Sequence, residues 1–125
     1  MESKKKDSQM QERIELSMLY DFYGALLKEN QQRMFEASVL EDYNYSEIAE
    51  DEGISRQGVY DAIRRASRQL REYEEKLGLV ARFIRQKEQV KEMHHILQQM
   101  RGSMTDINNQ AFEKVIAIID EIMEE

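Results

Sequence analysis

Tyr45-Ser46-Glu47-Ile48-Ala49-Glu50-Asp51-Glu52-Gly53-Ile54-Ser55-Arg56-Gln57-Gly58-Val59-Tyr60-Asp61-Ala62-Ile63-Arg64-Arg65-Ala66 is the stretch whose reading decides the fold. A helix-turn-helix needs a small residue where its two helices cross closely, and Ala49 supplies one. Four positions later it needs a residue that tolerates positive φ, and Gly53 does so without steric cost. Ile54 is expected to plug inward just after the turn. Ile48, Val59 and Ile63 complete the packing set, the last two lying one helical turn apart. Asn44 and Glu47 form an asparagine variant of a capping box ahead of the first helix. Ser55 is placed to cap the second, which can run from Arg56 to about Leu77 before Gly78 stops it.

The same periodicity extends outward in both directions. Ile14, Leu16, Met18, Leu19, Phe22, Tyr23, Leu26 and Leu27 predict an amphipathic helix. Met34, Phe35, Ala37, Val39 and Leu40 predict another, capped by Asn30. Beyond Gly78, the positions Val80, Phe83, Ile84, Val90, Met93, Leu97 and Met100 suit about six further turns. Arg101-Gly102-Ser103 breaks that helix, and a last one around Ile107 to Met123 carries an isoleucine-rich stripe. The chain has no proline and five glycines, and no alternating apolar run of strand type appears. The fold class is therefore all-α. Residues 1–12 read as a flexible N-terminus, 13–78 as the helix-turn-helix domain and 79–125 as a C-terminal helical hairpin.

Composition removes several function classes. There is no cysteine, so disulfides, thiolate zinc sites and cysteine nucleophiles are absent. His94 and His95 are the two histidines, and adjacent helical residues diverge by about 100°, so they cannot face one metal together. No glycine-rich phosphate loop or serine–histidine pair is present. These features predict a binding protein and not an enzyme, with no cofactor and no metal. Lys4-Lys5-Lys6 is not followed by an apolar segment of signal-peptide length, and no run approaches the roughly 18 apolar residues of a membrane span. A cytoplasmic location with no membrane insertion is expected.

Charge is segregated along the chain. The net charge is −7, whereas nucleic-acid binders are usually basic. Yet the segment from Ile54 to Arg71 holds five arginines against Asp61, while Glu29 to Glu52 holds eight acids against Arg33. In a DNA-reading module the N-terminal part of the second helix faces base edges. Here that part carries Arg56, Gln57, Tyr60, Asp61 and Arg64, followed by the basic positions Arg65, Arg68 and Arg71. Arginine can grip guanine and glutamine adenine. The opposing interpretation is a solvated helix face, its arginines paired with Glu72, Glu74 and Glu75.

Ser46-Glu47-Ile48-Ala49, Gly53-Ile54-Ser55-Arg56 and the helix after them resemble region four of bacterial sigma factors, within the winged-helix-like DNA-binding superfamily. Leu19-Tyr20-Asp21-Phe22-Tyr23, Leu26-Leu27, Ile48-Ala49-Glu50, Ser55-Arg56-Gln57, Val59-Tyr60-Asp61 and Tyr73-Glu74-Glu75-Lys76-Leu77 more closely resemble the YlxM family, over roughly residues 14–79. These are small bacterial helix-turn-helix proteins usually encoded beside the GTPase subunit of the signal recognition particle (SRP) and its receptor. The resemblance implies a regulatory protein of the SRP pathway, with SRP RNA or the SRP GTPase as partner. Sigma factors typically carry basic or amide residues where this chain has Tyr60 and Asp61, a departure that suits RNA or protein contact. Two alternatives stand beside this one: a sequence-specific DNA-binding transcriptional regulator, and a structural helical adaptor acting through the C-terminal stripe. That stripe, with Val115, Ile116, Ile119 and Ile122 as the expected interface, is too apolar to face water alone and predicts a homo-oligomer.

Overall fold

The computed structural model describes residues 2–101 and 106–124, all of whose regular elements are helical. The predicted break at Gly102-Ser103 lies outside the described residues. Helix α1 spans Glu2–Tyr23, α2 Glu29–Phe35, α3 Tyr45–Glu52, α4 Arg56–Leu77, α5 Leu79–Met100 and α6 Asp106–Glu124. The chain divides into two compact units, residues 1–80 and 81–125, with α5 crossing the division.

In the first unit α4 is the shared wall of two apolar clusters. Its Ala66 and Leu70 pack with Leu16, Leu19, Tyr23 and Leu27 of α1 and its exit, and with Phe35 of α2. Its Val59 and Ile63 pack with Ile48 and Ala49 of α3 and with Met34. Met34 and Phe35 are adjacent, so α2 sends one side chain into each cluster and joins them. Ile14 and Leu26, assigned to the apolar face from sequence, stay exposed. The buried stripe of α1 is narrower, repeating every three or four residues. Helix α1 already begins at Glu2, so the polar opening stretch extends the helix instead of preceding it. Lysine, glutamine, glutamate and methionine, most of this stretch, are good helix formers.

The helix breaks are local and chemically explicit. Asn30 does not cap α2; that helix starts at Glu29, two residues earlier than a cap at Asn30 implies, and the Lys28 N–H donates to the Gln31 side chain at 3.2 Å. Past Phe35 the winding loosens into a π-turn over Glu36–Leu40, and Asp42 reverses the chain at φ 63°. Arg13 of α1 ties this irregular segment down, donating to the Val39 and Ser38 carbonyls at 2.9 and 3.2 Å. Its guanidinium also pairs with Asp42 at 2.9 Å.

Between α4 and α5 a single residue, Gly78 at φ 63°, ends one helix and starts the next. The first N–H groups of α5 would be orphaned there. They are satisfied from elsewhere: Leu79 N–H donates to the Tyr23 hydroxyl at 3.1 Å and Val80 N–H to Glu74 Oε1 at 3.0 Å. The Tyr23 hydroxyl in turn donates to Glu74 at 2.6 Å. Tyr20 likewise donates to Glu36, and its ring stacks on Phe35 with centroids 4.9 Å apart.

In the second unit α5 and α6 run antiparallel. Lys87 Nζ donates to the Met123 carbonyl at 2.9 Å, His94 approaches Asp120 at 3.8 Å, and Arg101 pairs with Glu113. Val90, Phe112, Ile116 and Ile119 are buried. The oligomer stripe expected from sequence is thereby split. Ile116 and Ile119 are already buried within the chain, whereas Val115 and Ile122 remain exposed.

Tyr23→Phe keeps the ring but removes the hydroxyl shared by Glu74 and Leu79. It is expected to lower the unfolding free energy by about 1–3 kcal/mol, measured by urea denaturation. Burial first, and then the Glu74 carboxylate, raise the Tyr23 pKa; burial and Glu36 raise that of Tyr20. A raised folded-state value means the stabilisation is complete below the ordinary tyrosine pKa of about 10 and fades as pH climbs through the folded value. The alkaline loss of stability should therefore be shallower in Tyr20→Phe/Tyr23→Phe, followed by circular dichroism.

Candidate nucleic-acid interface

The candidate interface is built on the α3–α4 corner. Asn44 caps α3, its side chain accepting from Glu47 N–H at 2.8 Å while Glu47 reaches back to the Asn44 N–H at 3.4 Å. Gly53 takes φ 69°, and Ile54 N–H returns to the Ala49 carbonyl at 3.1 Å, closing a Schellman-type turn. Ser55 then caps α4, accepting from Gly58 N–H at 2.9 Å. Ala49 and Gly53 thus do what their positions predicted. Ile54 does not: it is 43% exposed, and its Cδ1 lies 3.5 Å from where a Cβ on Gly58 would stand. Val59 and Ile63 fill the space between the helices, leaving Ile54 to cover the first turn of α4.

With its apolar edge committed to the two clusters, α4 turns its arginines outward. A groove of about 810 Å³ runs beside them, with Arg64, Arg68 and Arg71 along α4 and Gln9, Glu12 and Arg13 along α1. Tyr45 and Tyr60 close one end, their rings edge to face with centroids 6.1 Å apart. Glu72 and Glu75 line the other end. The groove is therefore polarised, aromatic and basic at the Tyr60–Arg68 end and acidic beyond Arg71.

The arginines are not equivalent. Arg71 is held by Glu12 at 3.3 Å and Glu15 at 3.8 Å, both from α1. Arg56, Arg64, Arg65 and Arg68 have no ion-pair partner among the described residues. In the opposing interpretation this face pairs with Glu72, Glu74 and Glu75; among the described residues Glu72 and Glu75 form no ion pair with it, and Glu74 accepts from the first turn of α5. Gln57, placed to read adenine, donates to Asp61 at 3.1 Å across one turn of the same helix. The acids of α3 flank this end: Glu47, Glu50 and Asp51 are exposed, and Glu52 forms a two-point pair with Arg33 at 3.1 and 3.2 Å. That contact raises the Arg33 pKa.

A family profile described as "helix-turn-helix protein, YlxM / p13 like", UPF0122, matches residues 10–110. The chain belongs to the UPF0122 family. A UPF0122 protein of Halalkalibacterium halodurans is 37% identical over 110 residues, covering 87% of this chain and 92% of that one. One from Desulforamulus reducens is 36% identical over 115 residues, 92% and 96% of the two chains. A UPF0122 protein of Caldanaerobacter subterraneus subsp. tengcongensis is 58% identical over 65 residues. That match takes in 52% of this chain and 56% of the relative, so the chain spans little more than half of that relative's length.

For this UPF0122 member the residues singled out from sequence fall into two groups. Tyr60, Arg64, Arg68 and Arg71 come together on the groove, whereas Arg56, Gln57 and Arg65 are exposed outside its lining. Tyr45 and the α1 residues Gln9, Glu12 and Arg13 escape sequence reasoning, because the apolar periodicity of α1 starts only at Ile14 and Tyr45 reads as no more than a first helical residue. An aromatic one helix away from Tyr60 is the signal that points to Tyr45. His94 faces Asp120 while His95 contacts Gln99, so the two histidines diverge. Among the described residues no group of three or more metal-ligating side chains converges. No helix among them is long and apolar enough to cross a membrane.

A Cβ added at Gly53 would meet no atom within 4 Å, so substitution there costs backbone strain alone. Gly53→Ala is expected to lose about 1–2 kcal/mol in denaturant unfolding with little change in helical content.

Proposed function

We propose that the chain is a regulatory nucleic-acid-binding protein whose ligand is structured RNA with accessible unpaired bases. The observation that carries this reading is the Tyr45–Tyr60 pair beside Arg64 and Arg68 on one groove, two arginines with no ion-pair partner among the described residues. Aromatic rings offer stacking platforms to unpaired bases, and the guanidinium groups meet phosphates; this combination is how proteins commonly recognise single-stranded loops. Duplex reading is less well supported at the N-terminal end of α4. There Gln57 is engaged by Asp61, and exposed acids of α3 would stand near the DNA backbone.

The family resemblance points the same way. YlxM-like proteins are associated with the SRP pathway, so SRP RNA is the first ligand to test and the SRP GTPase the first protein. The alternative of sequence-specific DNA binding keeps the support of Arg56 and Arg64 on the first turns of α4, neither of which has an ion-pair partner among the described residues.

A fluorescence-anisotropy titration at two salt concentrations, against SRP RNA and a random DNA duplex of equal length, separates these readings. Salt-sensitive preference for the RNA is expected. Arg64→Glu/Arg68→Glu should weaken binding and reduce the slope of log affinity against log salt by about two. Tyr60→Ala should cost about 1–3 kcal/mol with an unchanged slope. Equal affinity of all variants, or no binding to either nucleic acid, would remove this reading and turn attention to the GTPase.

A further inference from the structure

The hairpin of α5 and α6 leaves a second apolar face that no described residue of the hairpin covers. On α6 the inward residues Phe112, Ile116 and Ile119 are buried, while Val115, Ile118 and Ile122, each one residue before an inward position, are 41–49% exposed. On α5 the inward positions include Val90, His94, Leu97 and Arg101. Met93, Ile96 and Met100 again precede inward positions by one residue and are 47–49% exposed. In two antiparallel right-handed helices, residues one before the facing positions lie on the same side of the pair. Both stripes therefore open on one face. Six large apolar side chains at nearly half exposure form a patch on the order of several hundred Å², the size at which contiguous apolar surface marks a docking site.

We infer that this face binds the same face of a second copy of the chain, so that two hairpins close into a four-helix bundle. Three observations select a second copy over another occupant. The stripe Val115, Ile118, Ile122 repeats with three-then-four spacing, the seam of a helix that packs along another helix. The patch lies on two antiparallel helices, so a twofold partner presents matching ridges, and doubling its area approaches the ~1,000 Å² of a stable interface. Charge also complements itself. Along the outer rim of α6 stand Lys114 and Glu121, both exposed, seven residues apart on either side of Ile118. When α6 meets its copy antiparallel about Val115 and Ile118, each Lys114 comes opposite the copy's Glu121, twice by symmetry.

The full chain tests this by sedimentation equilibrium together with circular dichroism. Twice the 14.9 kDa chain mass is expected. Ile118→Asp, at an exposed position, should raise the dimer dissociation constant at least tenfold while helicity is kept. Lys114→Glu should weaken the dimer several-fold, and Lys114→Glu/Glu121→Lys should restore it, a rescue that general destabilisation of α6 would not give. A monomer at every concentration overturns the inference, as does a dimer indifferent to Ile118→Asp. The mass measurement uses no nucleic acid, so it fails or succeeds independently of the RNA reading.

Discussion

The burial of one edge of α4 is the interaction on which the first unit depends. Val59, Ile63, Ala66 and Leu70 form a single line along that helix, and each is at most 6% exposed. The line is long enough to serve two clusters in succession: α3 and Met34 near its start, α1 and Phe35 further on. Each large side chain placed there contributes about 1.5–3 kcal/mol, against a net domain stability of about 5–15 kcal/mol. Removing the line would separate α3 from α1. Because the buried edge is fixed, the opposite edge is fixed as well, and that is what sets Arg64 and Arg68 outward beside Tyr60. The same packing that makes the fold therefore aims the candidate interface.

Much of this was legible in the sequence because it follows from short-range chemistry. Asn44 and Glu47, Gly53, Ser55 and Gly78 all act within a few residues of themselves, and each is found in the role its type and spacing predicted. The family resemblance, carried by combinations such as Asp21-Phe22-Tyr23 and Val59-Tyr60-Asp61, is matched by the family profile over residues 10–110. Long-range relations were less accessible. That Arg13 would secure the carbonyls of Ser38 and Val39, or that Arg71 would be held by Glu12 and Glu15, depends on how α1 is brought against α4. A helical wheel drawn for either helix alone does not contain that information.

Ile54 and the C-terminal stripe illustrate the limit from the other side. Hydrophobicity identified both, but hydrophobicity does not say which of several apolar neighbours takes the available volume. Between α3 and α4 the space is filled by Val59 and Ile63, so Ile54 lies over Gly58. In α6 consecutive apolar residues at 115 and 116, and again at 118 and 119, span more arc than one partner helix can cover. Only the packing decides that Ile116 and Ile119 turn inward and their predecessors do not.

The placement of charge about the α3–α4 corner has a kinetic meaning. Exposed acids on α3 and arginines on α4 that have no ion-pair partner among the described residues are separated by one short turn, so the corner carries a permanent dipole. A polyanion drifting toward it experiences a torque before contact, which rotates the protein until the arginine side leads. Collisions that would otherwise be unproductive are converted into aligned ones. A chain of net negative charge can in this way meet a negatively charged polymer, because salt screens the sum beyond about 8–10 Å and the last approach is governed by the side presented.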